Sequence, residues 1–141
     1  MSRDGRDTTL RFFVDVTSMG LGKAMALLWR DVVHPGHRRL PQVPTGTLDP
    51  DWMPEIAKMG LIVIGRDKRI RSKPAELAAY HALGLQAFWI SGKKDLSNWD
   101  NLARLVRHWD AIEDVIADRG AGPWAYAVND AEITEIRLRD A

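Results

Sequence analysis

Residues 61–76 read LIVIGRDKRIRSKPAE. Leu61 to Ile64 is a short, uninterrupted apolar run ending at Gly65, the pattern of a strand buried on both faces. Past Gly65-Arg66 come one carboxylate, Asp67, and then four cations, Lys68, Arg69, Arg71 and Lys73. Pro74 then opens a helix with Glu76 in its first turn. A doubly buried strand that feeds a helix belongs in a sheet covered on both sides.

The flanking segments repeat the alternation. Upstream, Asp49-Pro50-Asp51 opens a helix, with Asp49 as N-cap and Pro50 at the first helical position, and Gly60 closes it. Earlier still, RFFVDV at 11–16 reads as a buried strand with Asp15 near its end. A turn follows at Thr17-Ser18-Met19-Gly20. The next helix places Leu21, Met25, Leu28 and Trp29 on one face. Residues 31–34 form a second short strand, and HPGHRRLPQVPTG is loop. Downstream, the helix from Pro74 runs to about Leu83 and stops at Gly84, and Gln86 to Ile90 form another strand. Ser97 and Asp100 suit a capping box. One amphipathic helix follows, carrying Trp99, Leu102, Leu105, Val106, Trp109, Ile112 and Ile116, and Gly120 ends it. Trp99 and Trp109 are expected in the core. Residues 124–128 and 133–138 read as a terminal hairpin turning at Asn129-Asp130. The fold expected is α/β, three layers with a mostly parallel central sheet and an antiparallel hairpin at the C-terminus.

The totals agree with one domain over 1–141, in which residues 1–10 are expected to be a flexible N-terminal segment. A chain of 141 residues buries roughly two thirds of its unfolded surface and needs no staple to fold. Apolar content of 45% and charged content of 28% are globular values. With no cysteine there is no disulfide, thiolate site or cysteine nucleophile, in keeping with a reducing compartment. The charged start, MSRDGRDTTL, lacks a signal-peptide core, and no apolar run is long enough for a membrane span. A cytoplasmic protein is expected. Net charge is only +1, so any nucleic-acid case must rest on local clusters.

The acids carry the functional argument. In a parallel sheet, strand carboxyl ends and helix N-termini meet along one edge, where ligands bind. Asp15 ends the first strand, Asp67 follows the third, and Asp49 starts the helix leading into that third strand. Clustered carboxylates repel unless a positive charge stands between them. A hard divalent ion, Mg²⁺ or Mn²⁺, meets that need. Such an ion activates water and braces a scissile phosphate. Lys68, Arg69, Arg71 and Lys73 would then hold a phosphodiester backbone. Each acid also has a plainer role: Asp49 as an N-cap, Asp51 as a first-turn acid favoured by the helix dipole, Asp67 as an ion-pair partner of Arg66, Arg69 or Arg71. Ser18 and Lys23 sit near the start of the first helix, where they suit a phosphate. Asp95 follows the fourth strand with Lys93 and Lys94 and is a candidate fourth acid. His34 and His37 lack a zinc-ligand spacing and read as loop residues, and His81 and His108 read as helix residues without a catalytic task.

FFVDVTSMGLGKA, followed by DPDWMPEIAKMGLIVIGRDKRIRSKPAELAAYHALGLQAFWIS, resembles the PIN-like domains of VapC-type toxins from bacterial toxin–antitoxin pairs. The resemblance covers residues 11–92 and is sharpest from 49 to 76. It implies a Mg²⁺- or Mn²⁺-dependent ribonuclease acting on RNA, a cognate antitoxin protein as partner, and a homodimer. It carries the metal-binding role to Asp15, Asp49 and Asp67, with Asp51, Glu76 or Asp95 assisting. Larger PIN domains place a glutamate between the first two of these acids; residues 16–48 here contain none, and the only acid is Asp31. That departure keeps a non-catalytic PIN-like module, binding RNA or protein, as the alternative. A haloacid-dehalogenase-like phosphohydrolase would want an aspartate two residues after Asp15, where Thr17 stands.

Overall fold

A computed structural model describes residues 9–66, 73–92 and 96–138, with only the backbone of Val16 described. The expected flexible segment at 1–10 therefore lies mostly outside the described residues. So do Asp67, Lys68, Arg69 and Arg71, and so does Asp95 with Lys93 and Lys94.

Six strands form one sheet in the order β2-β1-β3-β4-β5-β6. These are β1 (Phe12–Val14), β2 (Val32–Val33), β3 (Ile62–Arg66), β4 (Gln86–Ile90), β5 (Trp124–Val128) and β6 (Ile133–Ile136). All neighbours pair in parallel except β5 and β6, which form the antiparallel hairpin. The architecture is the α/β one that alternating strands and helices imply. Successive side chains explain the three layers. Phe13, Val63, Ala87 and Trp89 point to one apolar cluster, while Phe12, Val14, Ile62, Ile64, Phe88 and Ile90 point to the other. The helices α2 (Asp49–Met59) and α3 (Pro74–Leu83) supply Trp52, Met53, Ile56 and Tyr80 to the first. The second is covered by α1 (Met19–Leu28), α4 (Asn98–Arg107) and α5 (Trp109–Arg119), through Leu21, Met25, Leu105, Trp109 and Ile112. Each cluster removes several large side chains from water, worth about 1.5–3 kcal/mol apiece.

Four local expectations are corrected. Leu48, not Asp49, is the N-cap of α2, so Asp49 is the first helical residue and Pro50 the second. Extended backbone at Leu48 (φ −76°, ψ 155°) provides the cap conformation without a side-chain bond. The single C-terminal helix is two, α4 and α5, meeting at His108, whose φ −100° and ψ 11° leave the helical region. That bend turns Trp109 inward onto Phe12 and Trp29, with ring centroids 5.2 and 6.1 Å away. Trp99 lies in the first turn of α4 and is 73% exposed, so it is not core. Leu28, at the last residue of α1, is 58% exposed and leaves the buried face to Leu21 and Met25.

Candidate active site

Asp15 follows β1 and caps a short 3₁₀ turn, Val16–Ser18. Its backbone N–H donates to the Ile64 carbonyl at 3.0 Å, extending the β1–β3 ladder by one rung. Its Oδ1 accepts from the Thr17 backbone N–H at 2.9 Å and from the Thr17 hydroxyl. The carboxylate is therefore held in one orientation and nearly buried, 9% exposed as a residue. Gly65 makes room for it: a Cβ there would stand 2.5 Å from Asp15 Oδ2 and 2.9 Å from its Cγ.

Asp49 reaches the same place from the N-terminus of α2. Freed from capping, its Oδ1 accepts from the Trp52 indole N–H at 2.9 Å, a bond between positions i and i+3 of one helix turn. Helix α3 adds Glu76 in its first turn and Tyr80 one turn later. Glu76 Oε1 lies 3.8 Å from Lys73 Nζ. Asp15, Thr17, Asp49, Arg66, Lys73, Glu76, Tyr80 and Trp89 line a single small cavity of about 80 Å³ at the carboxyl edge of the sheet. It opens on the side covered by α2 and α3.

Tyr80 is 4% exposed and meets Trp89 edge-on at 5.1 Å. Burial, then the negative charge of Asp15, raises its phenol well above the ordinary value; a bond from Trp89 opposes this, and Asp49 and Glu76 add to the rise. Tyr80 is thus a neutral hydrogen-bond donor at any physiological pH. Thr17, Arg66, Tyr80 and Trp89 are the lining residues that the sequence reading did not single out. Thr17 sits two residues after Asp15, and Tyr80 four after Glu76. Those spacings were signals in plain view.

The other candidates fall elsewhere. Ser18 is the N-cap of α1 but makes no capping bond; it is 5% exposed, and its Oγ has no hydrogen-bond partner among the described residues. It does not line the cavity, nor does Lys23, which is exposed on α1. Asp51 is exposed in the first turn of α2. Asp31 precedes β2 and so sits at the opposite edge, 3.8 Å from Arg11.

The donors in the cavity are carboxylate and phenol oxygens, with no thiol or imidazole among them. That donor chemistry fits a hard divalent cation. Among the described residues, no group of three or more His, Cys, Asp or Glu side chains could by itself hold a metal ion. Asp67, next in the chain after Arg66, is outside that set.

No helix among the described residues is long and apolar enough to cross a membrane. No curated protein and no solved structure matches the chain. The family pattern of PIN-like domains matches residues 10–92, from just before β1 to just past β4. PIN-like domains are in general nucleases. The matched stretch is more than half of the chain and contains Asp15, Asp49, Glu76 and Tyr80, so the chain belongs to the PIN-like domain family.

Proposed function

We propose that this protein is a metal-dependent endoribonuclease, the toxin of a type II toxin–antitoxin pair related to the VapC proteins, working in the cytoplasm on RNA and held in check by a cognate antitoxin. The observation that carries the reading is the shared cavity of Asp15, Asp49 and Glu76 at the carboxyl edge of the sheet. Asp15, Asp49 and Asp67 would hold Mg²⁺ or Mn²⁺, with Asp51, Glu76 or Asp95 assisting. When bound, the ion supplies Lewis acidity to water and to the phosphoryl oxygens. The chain does the rest. Thr17 orients Asp15, Trp52 orients Asp49, and Gly65 leaves the Asp15 carboxylate its space. Arg66 and Lys73 bring positive charge to the phosphodiester, with Lys68, Arg69 and Arg71 beyond them in sequence. Lys23, exposed on α1, takes a flanking phosphate in this reading, whereas the Ser18 hydroxyl is too buried to reach one. Neutral Tyr80 would donate a hydrogen bond toward charge that develops on the phosphoryl oxygens. A homodimer completes the assembly.

Asp15→Asn keeps the acceptor oxygen for Thr17 but removes the charge. Cleavage of a labelled RNA in Mn²⁺ is expected to fall by at least about 10³-fold, and the circular dichroism spectrum to stay unchanged. Chelation of the wild type with EDTA should remove the same activity. Undiminished cleavage by Asp15→Asn sinks the reading.

The lack of a glutamate anywhere between Asp15 and Asp49 favours a second reading, a PIN-like module that binds RNA without cutting. RNA binding with no cleavage in Mg²⁺ or Mn²⁺ would select it.

A further inference from the structure

A larger cavity, of about 570 Å³, lies away from the carboxylates. It sits where α1 and the loop after β2 meet at the open edge of the sheet, since β2 is an outermost strand. Its lining includes Arg30, His37, Arg38 and Arg39, with Leu27 and Val32 as apolar wall, and no carboxylate among the described residues that form it. The volume falls within the range of ligand sites, roughly 300–1,000 Å³.

The basic groups are arranged rather than merely nearby. The Arg39 guanidinium donates to the Arg30 carbonyl, which fixes its direction. The Arg39 backbone N–H donates to His37 Nδ1 at 3.0 Å. That bond makes Nδ1 an acceptor, so the neutral ring carries its proton on Nε2. His37 is kept neutral by partial burial first, and then by the positive fields of His34, Arg39 and Arg38. A cleft that gathers guanidinium donors and one neutral N–H donor, with no carboxylate among the described residues that line it, suits phosphate oxygens. Leu27, 89% exposed, offers an apolar surface for a sugar or base.

We infer that this cleft is a second subsite for the phosphodiester backbone of single-stranded RNA, separate from the acidic cavity. The inference rests on the nuclease reading for its choice of polyanion. Val32 pairs with Phe12, three residues before Asp15, so about 10 Å of strand separates the cleft's register from the acid's. One RNA strand passing around the β2 edge can occupy both. Arg is preferred to Lys at such a site because its planar fork donates two parallel hydrogen bonds to a phosphate.

The test uses the full chain carrying Asp15→Asn, so that RNA is bound but not cut, with a short fluorescein-labelled oligoribonucleotide of mixed sequence as probe. Adding Arg30→Glu and Arg38→Glu should weaken binding by at least about tenfold and reduce the log–log salt slope by about 1.4, two single-strand phosphate contacts. Arg30→Gln with Arg38→Gln is the milder pair, and an unchanged melting temperature certifies the fold. In the otherwise wild-type chain, the same changes should leave cleavage of a dinucleotide substrate intact, because that substrate is too short to reach the cleft. Unchanged RNA affinity and salt slope in the cleft variants overturn the inference. Unchanged RNA affinity with lost binding of polyglutamate also overturns it, and assigns the cleft to an acidic protein segment. If wild-type protein never cuts RNA while the cleft variants still lose RNA binding, the nuclease reading fails and the subsite stands.

Discussion

Gly65 occupies a point where any side chain would collide with the Asp15 carboxylate. Its missing Cβ is what lets Asp15 lie against β3 while Thr17 holds the other oxygen. Gly65→Ala is therefore expected to push the carboxylate aside. RNA cleavage should fall by more than about tenfold while stability drops by only about 1–3 kcal/mol, the usual cost of overpacking. Chemical denaturation beside a cleavage assay reads both. His37 gives a prediction in pH. Its folded pKa is depressed below the ordinary 6.5 by burial and by its cationic neighbours. Between the folded value and 6.5, the unfolded chain binds more protons than the folded one. The stability tied to neutral His37 is thus whole above about pH 6.5 and is lost as pH falls through that window. Melting curves from pH 7.5 to 5 should fall less steeply for His37→Asn than for wild type. Equal slopes would remove His37 from the account.

At the scale of elements, the two tryptophans on the C-terminal helices part company. Trp109 starts α5, is 8% exposed, packs on Phe12 and donates to Glu113 at 3.2 Å. Glu113 in turn accepts from Arg11 at 2.5 Å and ties α5 to the residue before β1. Trp109→Ala should cost about 3–5 kcal/mol in urea unfolding. Trp99→Ala should stay within about 0.5 kcal/mol, as for an exposed side chain. A large loss at Trp99 would mean that it is covered in solution. The two lie in different helices that meet at His108, and even one continuous helix would set 99 and 109 about 80° apart, ten residues being about 2.8 turns.

For the whole molecule, the parallel arrangement of β1 to β5 makes every strand end and the starts of α1, α2 and α3 converge on one edge. A cation held there by residues from β1, α2 and α3 would bind the folded chain and not the unfolded one. Mn²⁺ at a hundredfold excess over its dissociation constant is accordingly expected to raise the melting temperature by roughly 8 °C. Asp15→Asn should show little of that rise. An equal rise in both proteins would place the ion elsewhere.

The order of elements, the doubly buried β3, the closing turns at Gly60 and Gly84 and the terminal hairpin follow from patterns spanning a few residues, and those were legible in the chain. So was the convergence of Asp15 and Asp49 on one edge, because parallel topology dictates it from element order alone. Tertiary structure decided the rest. Whether Asp49 spends its oxygen on a helix cap or on Trp52 depends on whether Asp49 itself takes up helical backbone angles, and no local pattern sets it. Tyr80 joins the acids only because α3 packs beside α2 over Trp89. The basic cleft exists only because the loop after β2 folds back toward Arg30. Local sequence determines which elements form; the meeting of side chains from distant elements is set by packing, which is a property of the whole chain.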